Sequence, residues 1–291
     1  MASEQVNCSI DKPPRRRYTL FLLLLAASVS LAIAAITTRS RDREPSYEGV
    51  SLTTWLQRYC ADEGSAEHAI RAIGTNAVPF LRNLVRSQDS VLRKRLSQAL
   101  LWLDASEFDI NSALQKQFLA CAGFRALGTT GVSAIPDLWV LVGNTNTSGV
   151  ASLALAGMGS NGVQVLSQSL TNRDPAIRCA IATALGKTSG DQTAAAGILA
   201  KTTKDAHHAV RWAAVRALGS MEAHSALAVT VLSDTANDTN RIVRRAALEA
   251  LGNLGGLARS AEGVIRGATN DPDPFVRKTA IEALAKCGLA K

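Results

Sequence analysis

Aromatic residues make up only 4% of these 291 residues. The β-branched and aromatic clusters that mark sheets are correspondingly few, which argues against a β-rich fold. Cysteine is sparse too. Cys8, Cys60, Cys121, Cys179 and Cys287 stand far apart, odd in number and without a Cys-x-x-Cys pair. A disulfide framework is therefore not the organising device, and the thiols read as small buried hydrophobes or free groups. The four histidines, His68, His207, His208 and His224, form neither His-Glu-x-x-His nor a Cys/His ligand cluster, so a zinc site is not expected. "GMGSNG", Gly157 to Gly162, has no preceding strand and no Lys-Ser/Thr, and reads as a helix stop and turn. No catalytic group, cofactor, metal or small-molecule substrate is implied by any of these patterns.

The net charge is +8, but part of it is local. Residues 1–46 carry seven Lys/Arg and four acids, which leaves 25 basic against 20 acidic residues in the rest. A surplus of +5 spread over so long a chain favours solubility and does not by itself call for nucleic acid.

Five segments are expected. Residues 1–17 form a basic tail ending in Arg15, Arg16 and Arg17. Residues 18–38 are uncharged and would make a helix of about 31 Å, the thickness of a bilayer's hydrocarbon core. Two readings compete for them. A signal peptide would be cut near "AIA", Ala32 to Ala34, and would release a secreted domain. The apolar run continues past that site to Ile36, so a retained signal anchor is favoured. Lys12 and Arg15 to Arg17 before the segment, against Arg39, Arg41 and Arg43 after it, place the remainder outside the cytoplasm. Residues 39–50 read as a linker. Residues 51–64 read as a capping helix, with Ser51 as N-cap and Leu52, Trp55, Leu56 and Tyr59 as its apolar stripe.

From residue 65 to 291 the chain repeats. "AIRCAIATALG" (Ala176–Gly186), "AVRWAAVRALG" (Ala209–Gly219), "IVRRAALEALG" (Ile242–Gly252) and "FVRKTAIEALA" (Phe275–Ala285) each begin 33 residues after the last. Stacked, they share one helical face at i, i+3, i+4, i+7 and i+8. Its last slot holds Leu185, Leu218, Leu251 and Leu284. A polar slot holds Thr183, Arg216, Glu249 and Glu282. Gly186, Gly219 and Gly252 are expected to stop these helices in the left-handed region. Asp174, His207, Asn240 and Asp273 occupy the turn before them, two of them as N-caps ahead of proline. A second, less regular helix follows each glycine.

One such pair cannot bury both stripes alone, so neighbouring pairs must stack. "RAIGTNAVPFLRNLV" (Arg71–Val85), "VLRKRLSQALLWL" (Val91–Leu103), "RALGTTGVSAIPDLWVLV" (Arg125–Val142) and "LALAGMGSNGVQVLSQSL" (Leu153–Leu170) carry the same pattern at irregular spacing. The fold class is all-α: an α-solenoid of about eight helix pairs behind one N-terminal transmembrane or signal helix.

The pattern D-P-x-V-R-x-x-A-x-x-A-L-G resembles HEAT-like repeats of the kind described in phycobilisome lyases. "EPSYEGVSLTTWLQRY", Glu44 to Tyr59, is similar to the leader of bacterial membrane-anchored HEAT-repeat proteins. The resemblance implies a fold and leaves function open, since that architecture hosts adaptors, lyases, glycosylases and hydroxylases. HEAT-repeat hydroxylases of deoxyhypusine rely on His-Glu dipeptides, and this chain has none. The expected function is a membrane-tethered scaffold that binds another protein, in preference to an enzyme. The alternative is an accessory enzyme like the bilin lyases. Nucleic-acid binding stands a distant third, because the second helices lack a basic–aromatic stripe. One arginine recurs at constant phase, at Arg178, Arg211, Arg244 and Arg277. A structural bond from each to a neighbouring turn is expected.

Overall fold

The computed structural model describes residues 44–89, 112–188, 190–221 and 225–289. Residues 45–291 form a compact unit, the second of two into which the chain divides. The segment expected to span a membrane, residues 18–38, and the helix expected on Val91–Leu103 lie outside the described residues.

The second unit opens with a two-stranded ribbon. β1 (Ser46–Tyr47) pairs antiparallel with β2 (Val50–Ser51). Glu48 and Gly49 turn between them at φ 50° and 73°, the left-handed pair that suits a tight hairpin. The expected linker thus ends in this ribbon. Ser51 accepts from the Thr54 N–H and starts α1 (Leu52–Cys60), which stops before the expected residue 64. Leu52, Trp55 and Leu56 are buried, and the Trp55 indole donates to the Tyr47 carbonyl at 3.2 Å.

Six helix pairs follow among the described residues. They are α2 (Gly64–Ile73) with α3 (Val78–Val85), α4 (Ala113–Leu127) with α5 (Ile135–Val142), and α6 (Ser148–Ala156) with α7 (Gly159–Ser169). Then come α8 (Pro175–Leu185) with α9 (Gln192–Thr202), α10 (His208–Gly219) with α11 (Ser225–Thr235), and α12 (Arg241–Leu254) with α13 (Glu262–Ala268). α14 (Pro274–Lys286) is a further first helix. First helices stack on first helices from α4 through α14, and α5, α7, α9 and α11 pack in the same order beside them. α1 lies against α2 and α4, at the start of the stack. The apolar stretch Ala113–Val142 is long enough to cross a membrane, but half of its most apolar window is buried in the protein. Gly128 at φ 53° divides it into α4 and α5.

The repeating slots explain the core. Ile177, Val210, Val243 and Val276 are buried, as are Leu185, Leu218, Leu251 and Leu284. Thr183, Arg216, Glu249 and Glu282 all face solvent.

The glycines after this stripe act differently from expectation. Gly186 closes α8 in the right-handed region, Gly219 is the last residue of α10, and Gly252 lies inside α12. Left-handed glycines stand elsewhere, at Gly74, Gly128 and Gly255, each opening a 3-10 turn between paired helices. Close approach between stacked first helices is the reason for the other three. A Cβ on Gly186 would lie 2.7 Å from the Ala217 Cβ, one on Gly219 2.6 Å from the Ala250 Cβ, and one on Gly252 3.0 Å from the Ala283 Cα. Gly219→Ala should therefore destabilise by about 1–3 kcal/mol through overpacking, although alanine is worth about 1 kcal/mol more in a helix. Urea titration of Gly219→Ala, Ala250→Gly and the double variant checks this. Strong positive coupling is expected, and a stabilised Gly219→Ala would show that the helices slide apart freely.

Candidate functional site

The turns that precede the first helices are built alike. Asp174 caps α8 by accepting from Ala176 N–H at 2.8 Å, and Asn240 caps α12 from Ile242 N–H at 2.9 Å. Asp273 caps α14 from Phe275 and Val276 at 2.9 and 3.2 Å. His207 fills the same position at α10, where its Nδ1 accepts from Ala209 N–H at 3.3 Å. Its ring stacks on His208 at 4.8 Å. The histidine pair is thus a helix cap and its neighbour.

The repeated arginines cross from unit to unit. Arg178, Arg211 and Arg244 donate through Nε and Nη2 to Asp205, Asp238 and Asp271, each 27 residues on, at 2.7–2.9 Å. Each Nη1 donates to two carbonyls of the arginine's own turn at 2.8–3.3 Å. Each aspartate in turn accepts from the N–H of the capping residue, His207, Asn240 or Asp273, at 2.8 Å. A planar guanidinium holds two turns at once in this way, which an ammonium cannot do. Among the described residues Arg277 makes the carbonyl bonds alone, to Asp271 and Pro272 at 2.8 and 3.1 Å.

Burial pushes the Asp205 and Asp238 carboxyls up, but the paired arginine and the capping N–H outweigh it and hold both below the usual carboxylate range. Asp271 is held low first by Arg244, against a smaller effect of burial. A carboxyl whose folded pKa is depressed contributes stability that is complete above its unfolded pKa and is lost as pH falls through the folded value. The melting temperature should therefore hold steady down to about pH 5 and fall below about pH 4. Asp238→Asn should flatten that fall. An unchanged acid limb in this variant would detach the ladder from acid stability.

Upstream of α8 the links are irregular. Arg71 donates to the Ala126 carbonyl at 3.0 Å, and Arg125 to that of Lys187 at 3.3 Å. Arg82 on α3 pairs with Asp137 on α5. This last link had no counterpart at repeat spacing that could have pointed to it.

The second helices form a different surface. Grooves open at three of their junctions: about 370 Å³ between α5 and α7, about 790 Å³ between α9 and α11, and about 470 Å³ between α11 and α13. Trp139 and Val140 border the first, 56% and 71% exposed, and Leu227 and Val231 border the second. Gly197, Gly263 and Gly267 stand in these helices with open space where a Cβ would be. The face is small, neutral and partly apolar, without a basic stripe.

Among the described residues, no group of three His, Cys, Asp or Glu is placed to hold a metal ion. Cys60, Cys121, Cys179 and Cys287 are free thiols. Burial pushes Cys121 up to about 11, so it stays a protonated thiol at neutral pH.

Residues 163–252 and 229–291 match the family model of HEAT repeats. The complex of CpcE and CpcF of phycocyanin lyase from Nostoc sp. PCC7120 is 22% identical, with a TM-score of 0.45, over 52% of this chain and 98% of that one. A designed armadillo repeat protein in complex with the peptide (KR)4 is 18% identical over 72% of this chain and 99% of its own, with a TM-score of 0.42. Human deoxyhypusine hydroxylase in complex with glycerol is 16% identical over 81% and 84%, with a TM-score of 0.38. Among curated proteins, no sequence matches the chain.

Proposed function

We propose, starting from a chain whose residues 163–291 are HEAT repeats, that this protein is a scaffold that binds another protein on its second-helix face. The grooves at three second-helix junctions carry this reading. An extended segment of a partner could lie along the two consecutive grooves beside α11. Trp139 is the anchor we assign, since an exposed tryptophan beside a groove is the residue type that dominates binding energy at interfaces. The Arg–Asp links support the same reading, because a stack already rigid loses little freedom when it binds.

A photo-crosslinking amino acid at Trp139 or Leu227, used in the native cell, tests the proposal. Both positions should capture the same protein, and Glu282, on the first-helix side, should not. Equal capture from all three positions would remove the second-helix face from consideration.

We further propose that residues 18–38 hold the scaffold at a membrane, with the repeats outside the cytoplasm. The uncharged run and its basic flanks support this. A reporter fused after Arg43 should be active only outside the cytoplasm, and the chain should sediment with membranes. Recovery of residues 47–291 wholly in the cytosolic fraction would end this part of the proposal.

A further inference from the structure

The second-helix grooves differ in charge. The groove between α5 and α7 is lined by no charged residue. In the groove between α11 and α13 every lining charge is spent inside the protein, Asp238 on Arg211 and Arg244 on Asp271. The groove between α9 and α11 holds such pairs too, with Asp205 on Arg178 and Arg211 on Asp238, but it carries three further charges. Lys201 near the end of α9, Lys204 just past it and Asp234 on α11 are exposed, and none has an ion-pair partner among the described residues. Lys201 and Lys204 continue the face of Gly197 and Ala200 at i, i+3, i+4 and i+7, so both border the same wall. Asp234 follows Leu227 and Val231 at helical spacing on the opposite wall.

We propose that the partner segment on this face is extended and acidic, with a carboxylate side chain against Lys201 and Lys204 and a bulky apolar side chain in the groove between α11 and α13. Charge complementarity selects the acid. On a face otherwise neutral, two ammonium groups on one wall attract a carboxylate. Asp234 repels the same carboxylate from the α11 wall and so keeps it on the α9 side. Leu227, 41% exposed, and Val231 give the segment apolar surface as it crosses α11. Beyond α11, Gly263 and Gly267 leave open space where a side chain can enter, and no free charge is present there to meet a second acid. The spacing of the two anchors follows from helix packing. Packed helices lie about 8–10 Å apart, and an extended chain covers that distance in about three residues. The acid and the apolar anchor are therefore about three positions apart in the partner.

The proposal rests on the protein-binding reading, and its test keeps the two apart. The probe is a phage-displayed library of random linear peptides panned against the full chain in detergent, after which the recovered peptides are synthesised and titrated. Recovered sequences should carry Asp or Glu about three positions from a bulky apolar residue. Replacing both lysines, Lys201→Glu with Lys204→Glu, should weaken them about tenfold or more, and Asp234→Asn should tighten them. Binding should also weaken as salt rises. Gly197→Leu should abolish binding by filling the groove. The space beside Gly197 is open and leucine suits a helix better than glycine, so that variant keeps the fold. The lysines are exposed, and their replacement should leave the melting temperature nearly unchanged. Peptides that bind regardless of the lysines and Gly197, and are lost in Trp139→Ala, would overturn the acidic segment and leave the second-helix face standing. Recovery of basic peptides, or no saturable binding, would overturn it as well. Equal crosslinking from Trp139, Leu227 and Glu282 would instead bring down the protein-binding reading itself, and this proposal with it.

Discussion

Leu218→Ala will lower the unfolding free energy by about 2–5 kcal/mol. Leu218 is fully buried near the C-terminal end of α10, and α10 is covered by α8 on one side and α12 on the other. The truncation removes methyl groups from a seam that cannot easily collapse, because its neighbours belong to two other units that are tied to this one by Arg178–Asp205 and Arg211–Asp238. Glu249→Ala, on the solvent side of α12, should change stability by no more than about 0.5 kcal/mol. Urea denaturation of the two variants side by side measures the contrast. Equal losses would mean that the helical phase of the repeats has been assigned wrongly.

How much of this was legible in the sequence can be judged slot by slot. The leucine of each copy, the valine or isoleucine eight residues before it, and the polar slot between faces were all placed by period alone. They depend only on which side of a helix a residue occupies. Gly186, Gly219 and Gly252 were misread for the opposite reason. A glycine that ends a helix and a glycine that admits a neighbour both follow an apolar stripe, and only the position of Ala217, Ala250 or Ala283 tells them apart. His207 was read as a turn residue, and its ring nitrogen serves as the cap that aspartate or asparagine supplies in the other copies. The Arg82–Asp137 pair could not be anticipated, because its two residues sit in units whose spacing departs from 33. The second-helix grooves had no sequence signature either. They are gaps between elements, and the residues around them are unremarkable one at a time.

Asp238→Ala will cost about 3 kcal/mol, the lower end expected when one partner of a buried ion pair is removed. Arg211 and Asp238 are 14% and 10% exposed, and the aspartate also satisfies the Asn240 N–H, so the variant strands a guanidinium fork and a backbone donor together. The loss stays at the lower end because Arg211 keeps its two carbonyl bonds. Arg244→Lys should cost less, since an ammonium can reach either Asp271 or the turn carbonyls but cannot bridge both. Arg241→Ala should change stability by no more than about 1 kcal/mol, because the Arg241–Asp273 pair keeps its arginine 64% exposed. A repeat stack is nearly one-dimensional, so the site of the break also matters. Asp238 joins the α10 unit to the α12 unit, and weakening an interior junction should let the two sides unfold separately. The urea transition of Asp238→Ala should therefore broaden, with a lower apparent slope, while Leu218→Ala shifts its midpoint with a smaller change of slope. A transition that moves without broadening would show that apolar stacking alone couples the units and that the arginine–aspartate bridges add only local stability.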